Sequence, residues 1–113
     1  MNSENRLRKD LDIQNVLKSK KGMFDTACGV KFAKNDKAIS RFAIIVSTKV
    51  SKNAVERNKA RRQYKEILTK HLPHIATGFD VLLLTSKPAL ALPFEKKEEK
   101  ILHVLRKAGL LKA

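Results

Sequence analysis

Between Lys49 and Lys65 the chain reads KVSKNAVERNKARRQYK, seven basic residues against a single acid, Glu56. In a helix, at about 100° per residue, Asn58, Arg61, Arg62 and Lys65 stand at i, i+3, i+4 and i+7 and share one face. Ala60, Tyr64, Ile67, Leu68 and His71 occupy the opposite arc and can pack on a sheet. Guanidinium groups in such a row grip phosphate oxygens through paired hydrogen bonds and stack on bases. A plain solvated face is the alternative. Solvated faces usually mix signs at i,i+4, however, and this one is almost wholly positive. Its self-repulsion is relieved when a polyanion neutralises it, which favours a nucleic-acid partner.

The other reactive side chains do not assemble into a catalytic centre. A protein nuclease needs clustered carboxylates for metals, or paired histidines for proton transfer. Asp10 and Asp12 stand two apart on an expected helix, facing different ways, and read as cap and surface residues. Glu98 and Glu99 fall in the early turns of a helix, where they complement its dipole. His71 and His74 flank Pro73 at a helix end, and His103 sits among cations. Metal ligation would need further ligands that the pattern does not offer. Cys28 alternates with Val30 and reads as core. Only four glycines are present, and none forms a phosphate-cradling loop.

Composition points the same way. Residues 1–113 are expected to form a single domain, since 113 residues suffice for one core and no repeat or linker divides them. A hydrophobic content of 42% argues for a folded globule rather than a disordered tail. The net charge of +14 calls for a polyanion. No stretch reaches the roughly 20 apolar residues of a membrane span, and no signal-peptide pattern opens the chain. A membrane partner is therefore not expected. One cysteine cannot close an internal disulfide and fits a reducing, cytoplasmic setting.

The elements that must position the basic helix follow from periodicity. Leu7, Leu11, Ile13, Val16 and Leu17 predict a first helix, with Gly22 as its stop after a basic run. Thr26, Cys28, Val30 and Phe32 alternate as a strand, and Asn35-Asp36 supplies a turn. Arg41 to Ser47 predicts a buried central strand. A long helix spans about Ala54 to His71, capped by Asn53 with Glu56 placed for a capping box, and Pro73 ends it. Phe79 to Leu84 predicts another buried strand. The last helix begins near Pro93, taken as its first position, with Phe94, Ile101, Leu105 and Ala108 inward and Gly109 as its stop. The order is α-β-β-α-β-α, with a possible short strand at Lys49-Val50: an α+β sandwich of helices on a small mixed sheet.

Arg57-Asn58-Lys59-Ala60-Arg61-Arg62 followed by Lys65-Glu66 resembles the RN-x-x-(K/R)-R-x-x-(K/R)-E signature of the bacterial ribonuclease P protein subunits. Val46 to Val55 is similar to the strand-to-helix segment that precedes that signature. Arg6-Leu7 with Asp12-Ile13 resembles the family's N-terminal pattern of Arg-Leu and then Asp-Phe, and Lys87-Pro88-Ala89 its post-strand turn. In order, these cover nearly the whole chain.

The resemblance implies an unusual left-handed β-α-β crossover, against the right-handed form that about 98% of such connections take. It implies a large catalytic RNA and precursor tRNA as partners and cleavage of the tRNA 5′ leader; no obligate protein partner is evident in the sequence. The family's RNA-contacting role carries over to Arg57, Asn58, Lys59, Arg61, Arg62 and Lys65, with Lys49 and Lys52 extending the surface. Mg²⁺ is implied as a cofactor acting through the RNA subunit, with none bound by the protein. The resemblance also implies a leader cleft between the first helix and the sheet. Aromatics common there are replaced by Ile13 and Leu17, leaving Phe32 as an aromatic candidate whose other reading is core.

A structural RNA-binding protein of ribosomal type shares the composition, and the ordered signature is what separates the two. A duplex-DNA reader would insert its helix in the major groove rather than pack it as a crossover. A basic enzyme for acidic small molecules lacks a constellation of reacting groups.

Overall fold

In the computed structural model, residues 3–25 and 28–112 are described. After a 3-10 turn at Ser3–Asn5 come α1 (Asp10–Leu17), β1 (Gly22–Phe24), β2 (Cys28–Lys34), β3 (Arg41–Ile45) and α2 (Ala54–His71). A second 3-10 turn, Leu72–His74, leads to β4 (Phe79–Thr85), α3 (Lys87–Leu90) and α4 (Phe94–Lys107). Thr26, expected in the alternating strand, lies outside the described residues.

The sheet has the order β1-β2-β4-β3, antiparallel except for the parallel β3–β4 pair that α2 connects. It is a mixed sheet with helices on both faces, the α+β sandwich the patterning predicted. On one face Val30, Phe42, Val81 and Leu83 meet Tyr64, Ile67 and Leu68 of α2 and Ile101 and Leu105 of α4. On the other, Leu82, Ala33, Ala43 and Ile45 meet Leu7, Ile13, Val16 and Leu17. Each large aliphatic side chain so buried contributes about 2 kcal/mol. β4 lies inside the sheet and is covered on both faces, which accounts for its unbroken run Val81-Leu82-Leu83-Leu84.

Several expectations need correction. β3 is an edge strand, not a central one, and ends at Ile45 rather than Ser47. Its outer side is taken by the N-terminal segment, where Arg6 bridges Phe42 and the Leu7 N–H donates to the Phe42 carbonyl at 2.8 Å. Leu7 is thus extended and outside α1, and Leu11 is 72% exposed rather than part of the apolar face. Gly22 is not the stop of the first helix, which ends at Leu17 with Lys18 as its C-cap. It opens β1, paired with Lys31, where a Cβ would approach the Val30 carbonyl oxygen to 2.9 Å. No strand forms at Lys49-Val50; the Val50 and Ser51 N–H groups turn back onto the Ser47 carbonyl. Lys87-Pro88-Ala89 winds into the short α3 instead of a plain turn.

The long helix has the predicted bounds. Asn53 Oδ1 accepts from the Val55 and Glu56 N–H groups, but the Asn53 N–H donates to Ser51 Oγ, so Glu56 does not complete a capping box. Pro93 is the N-cap of α4 rather than its first residue, so the helix starts one place later than predicted, and Gly109 ends it with φ +78°. Asp36, at φ +57°, and the Asn35 side chain make the predicted turn.

Candidate nucleic-acid interface

α2 rests its apolar arc on the sheet and on α4, so its polar arc faces outward. Ala60, Tyr64, Ile67 and Leu68 are buried, whereas Asn58, Arg62 and Lys65 are exposed and Arg61 is half-buried. Arg61 Nη1 donates to Asn58 Oδ1 at 2.5 Å, so the neutral member of the row aims its cationic neighbour. The four residues predicted to share a face do so.

The rest of the predicted set divides around this ridge. Arg57 is half-buried, and its Nη1 donates to the Ser51 carbonyl at 2.9 Å, which ties the lead-in to the helix. Lys49 and Lys52 are exposed on that lead-in. Lys59 lies about 100° round from Asn58 and borders a separate cavity against α4.

Beside the ridge runs a groove of about 430 Å³, floored by Phe42, Ala43 and Ile44 of β3 and walled by Arg61, Arg62 and Lys65. Its other wall is Arg6 and Arg8, neither of which the sequence pattern marked as a binding residue. The backbone explains their placement. Leu7 is buried on the α1 side of the sheet, and in an extended segment its neighbours point the opposite way, towards α2. Alternation around Leu7 was a usable signal, hidden because Leu7 fitted a helical stripe equally well. Five cationic side chains over an apolar floor can hold a phosphodiester strand.

The residues put forward for a leader cleft do not come together. Ile13 and Leu17 pack on the α1 face, but Phe32 points to the other, beside Phe79 in an edge-to-face pair with centroids 5.9 Å apart. The aromatic on the α1 face is Phe24. It pairs with Gly29, whose neighbour Val30 faces the opposite core, and its ring fills the space a Gly29 side chain would take. Phe24 is 64% exposed. On the same face Lys31 Nζ donates to the Leu17 carbonyl at 2.8 Å, capping the C-terminus of α1.

The groups set aside as catalytic candidates have other partners. Asp12 is not merely a surface residue: it reaches Arg41 at 3.4 Å, and Arg41 grips buried Asp80 through two bonds of 2.8 and 2.6 Å. This network pins α1 to the sheet and raises the Arg41 pKa, chiefly through the Asp80 hydrogen bond. Glu98 faces α2, where Lys70 and His71 each meet it at 3.0 Å, rather than serving the dipole alone. Those hydrogen bonds, His71 first, hold its carboxyl below the ordinary range. Cys28 is buried, and burial with the nearby Asp25 charge pushes its thiol up to about 11. Among the described residues no group of three or more His, Cys, Asp or Glu could hold a metal ion, and no helix is long and apolar enough to cross a membrane.

Comparison with known proteins fits this geometry. The sequence model of the family described as Ribonuclease P matches residues 1–109. A ribonuclease P protein component from Bacillus cereus is 26% identical over 111 residues, 97% of this chain and 96% of that protein. One from Synechocystis is 33% identical over 72 residues, 64% of this chain and 58% of that protein. Among solved structures, the Staphylococcus aureus RNase P protein superposes with a TM-score of 0.87 at 28% identity, covering 96% of this chain and 98% of that one. The Thermotoga maritima RNase P protein gives 0.82 at 30% identity, covering 90% and 96%.

Proposed function

The chain belongs to the ribonuclease P protein family, and on that premise we propose how its surface serves the removal of the 5′ leader from precursor tRNA. The protein is the partner of a catalytic RNA. The α2 ridge and the groove beside it take phosphates of that RNA, through Arg61, Arg62 and Lys65 with Asn58 orienting, and through Arg57, Lys59, Lys49 and Lys52 on the flanks. One observation carries this reading: Arg6, Arg8, Arg61, Arg62 and Lys65 converge on a single open groove.

A folded RNA and its tRNA substrate repel each other as dense polyanions. A +14 protein placed between them lowers that repulsion, so assembly needs less Mg²⁺. Hydrolysis belongs, in this proposal, to the RNA and the Mg²⁺ it holds, which activate water and stabilise the leaving oxygen. The leader strand lies along the α1 face, against Ile13 and Leu17, with a base stacked on Phe24 in place of Phe32. Stacking of that kind contributes about 1–3 kcal/mol per base. The protein works in the cytoplasm with its RNA.

Reconstitution tests the proposal. Purified protein is mixed with transcribed ribonuclease P RNA and labelled precursor tRNA at Mg²⁺ concentrations where the RNA alone is slow. A large gain in cleavage at the mature 5′ end is expected. RNA binding with no gain in cleavage would point instead to a structural RNA-binding role.

A further inference from the structure

Two charged side chains are buried among the described residues, Asp80 and Lys97. Asp80 has Arg41 as its counter-charge. Lys97, only 4% exposed, donates to the neutral Oε1 of Gln63, and no described carboxylate stands in ion-pair contact with it. An ammonium this buried, hydrogen-bonded to an amide and with no carboxylate in direct contact, is costly, because it gives up hydration without a contact ion pair. Burial, and then the like charge of Lys59, weaken its hold on the proton, while Glu56 partly offsets them.

Lys97 borders a cavity of about 450 Å³ between α2 and the start of α4, with Lys59, Gln63, Glu56 and Pro93 around it. Because Gln63 Oε1 faces Lys97, its NH₂ group is left to donate elsewhere. Pro93, as N-cap, gives the first N–H groups of α4 no side-chain acceptor. The cavity lies on the opposite flank of α2 from the groove lined by Arg6 and Arg8.

We propose that this cavity is a second oxyanion site, in which Lys97, Lys59 and the Gln63 amide hold one phosphate group. The ligand class is phosphate, either a backbone phosphate of the RNA or a free phosphate. In the first case the RNA grips α2 on both flanks, and the ridge is a saddle rather than a one-sided contact. The inference extends the ribonuclease P reading, yet its free-phosphate arm stands or falls without it.

The test follows the Lys97 side-chain resonance through a pH titration of the folded protein. It is run in chloride, in inorganic phosphate at equal ionic strength, and with the ribonuclease P RNA bound. An anion in contact stabilises the ammonium, so the midpoint should rise by roughly one unit. Lys59→Met should shrink that rise. A rise with free phosphate and an unaltered RNA affinity in Lys97→Met identifies a free-phosphate site. A rise with RNA, and a several-fold weaker complex in Lys97→Met, identifies a backbone phosphate. Methionine fills a similar volume, and circular dichroism checks its fold. A Lys97 midpoint unmoved by both phosphate and RNA overturns the proposal.

Discussion

Arg61 donates to Asn58 across one turn of α2, and the bond joins the neutral member of the exposed row to its half-buried cation. Asn58 therefore positions a guanidinium rather than adding charge. Asn58→Ala should weaken association with the ribonuclease P RNA roughly fivefold, the worth of one hydrogen bond. The salt dependence should stay close to wild type, because the variant keeps every charge. Binding isotherms at several salt concentrations check both parts.

Arg41 of β3 links Asp80 of β4 on one side to Asp12 of α1 on the other. Arg41→Met leaves Asp80 buried with only the Asn35 amide as a described partner. A loss of about 3 kcal/mol is expected, at the low end for breaking a buried pair because Arg41 keeps some solvent contact. Urea unfolding measures it.

The contact of Glu98 with His71 and Lys70 gives a pH signature. Its folded carboxyl is held below the ordinary value of 4.5, so its stabilisation is complete above that value and fades as pH falls through the lower folded pKa. Glu98→Gln should make the decline of the urea midpoint below about pH 5 shallower than in the wild type. An identical acid limb in the two proteins would show that the α2–α4 pair does not contribute.

Phe24 and Phe32 should separate function from stability. Phe24→Ala removes an exposed ring, and is expected to reduce the preference for precursor over mature tRNA by roughly tenfold, within the range for one stacked base, with little change in Tm. Phe32→Ala breaks the edge-to-face pair with Phe79 and opens part of the main core. It should cost about 2 kcal/mol of stability, below the full-burial figure because Phe32 is half-buried. Paired cleavage assays and thermal melts distinguish the two.

The α2 ridge was legible because both its period and its charge are local properties: capping at Asn53, apolar residues at Ala60, Tyr64 and Ile67, cations opposite. The β4 run was legible for the same reason. What escaped depended on pairing between distant segments. Leu7 reads as helical until the edge of β3 claims its backbone, and only then do Arg6 and Arg8 join the groove. Phe24 and Phe32 look equivalent until strand register assigns them to opposite faces. Lys97 did leave a signal. With Ile101 and Leu105 it stands at i, i+4 and i+8 on the inward stripe of α4, where a lysine needs an explanation.

The most direct measurement is the salt dependence of the protein's affinity for ribonuclease P RNA, in the wild type and in Arg61→Ala/Arg62→Ala. Each phosphate that the variant no longer neutralises should lower the slope of log K against log salt by about one. A drop near two is therefore expected, with an unchanged circular dichroism spectrum. Equal slopes and equal affinity in the two folded proteins would mean that the RNA does not meet this face of α2.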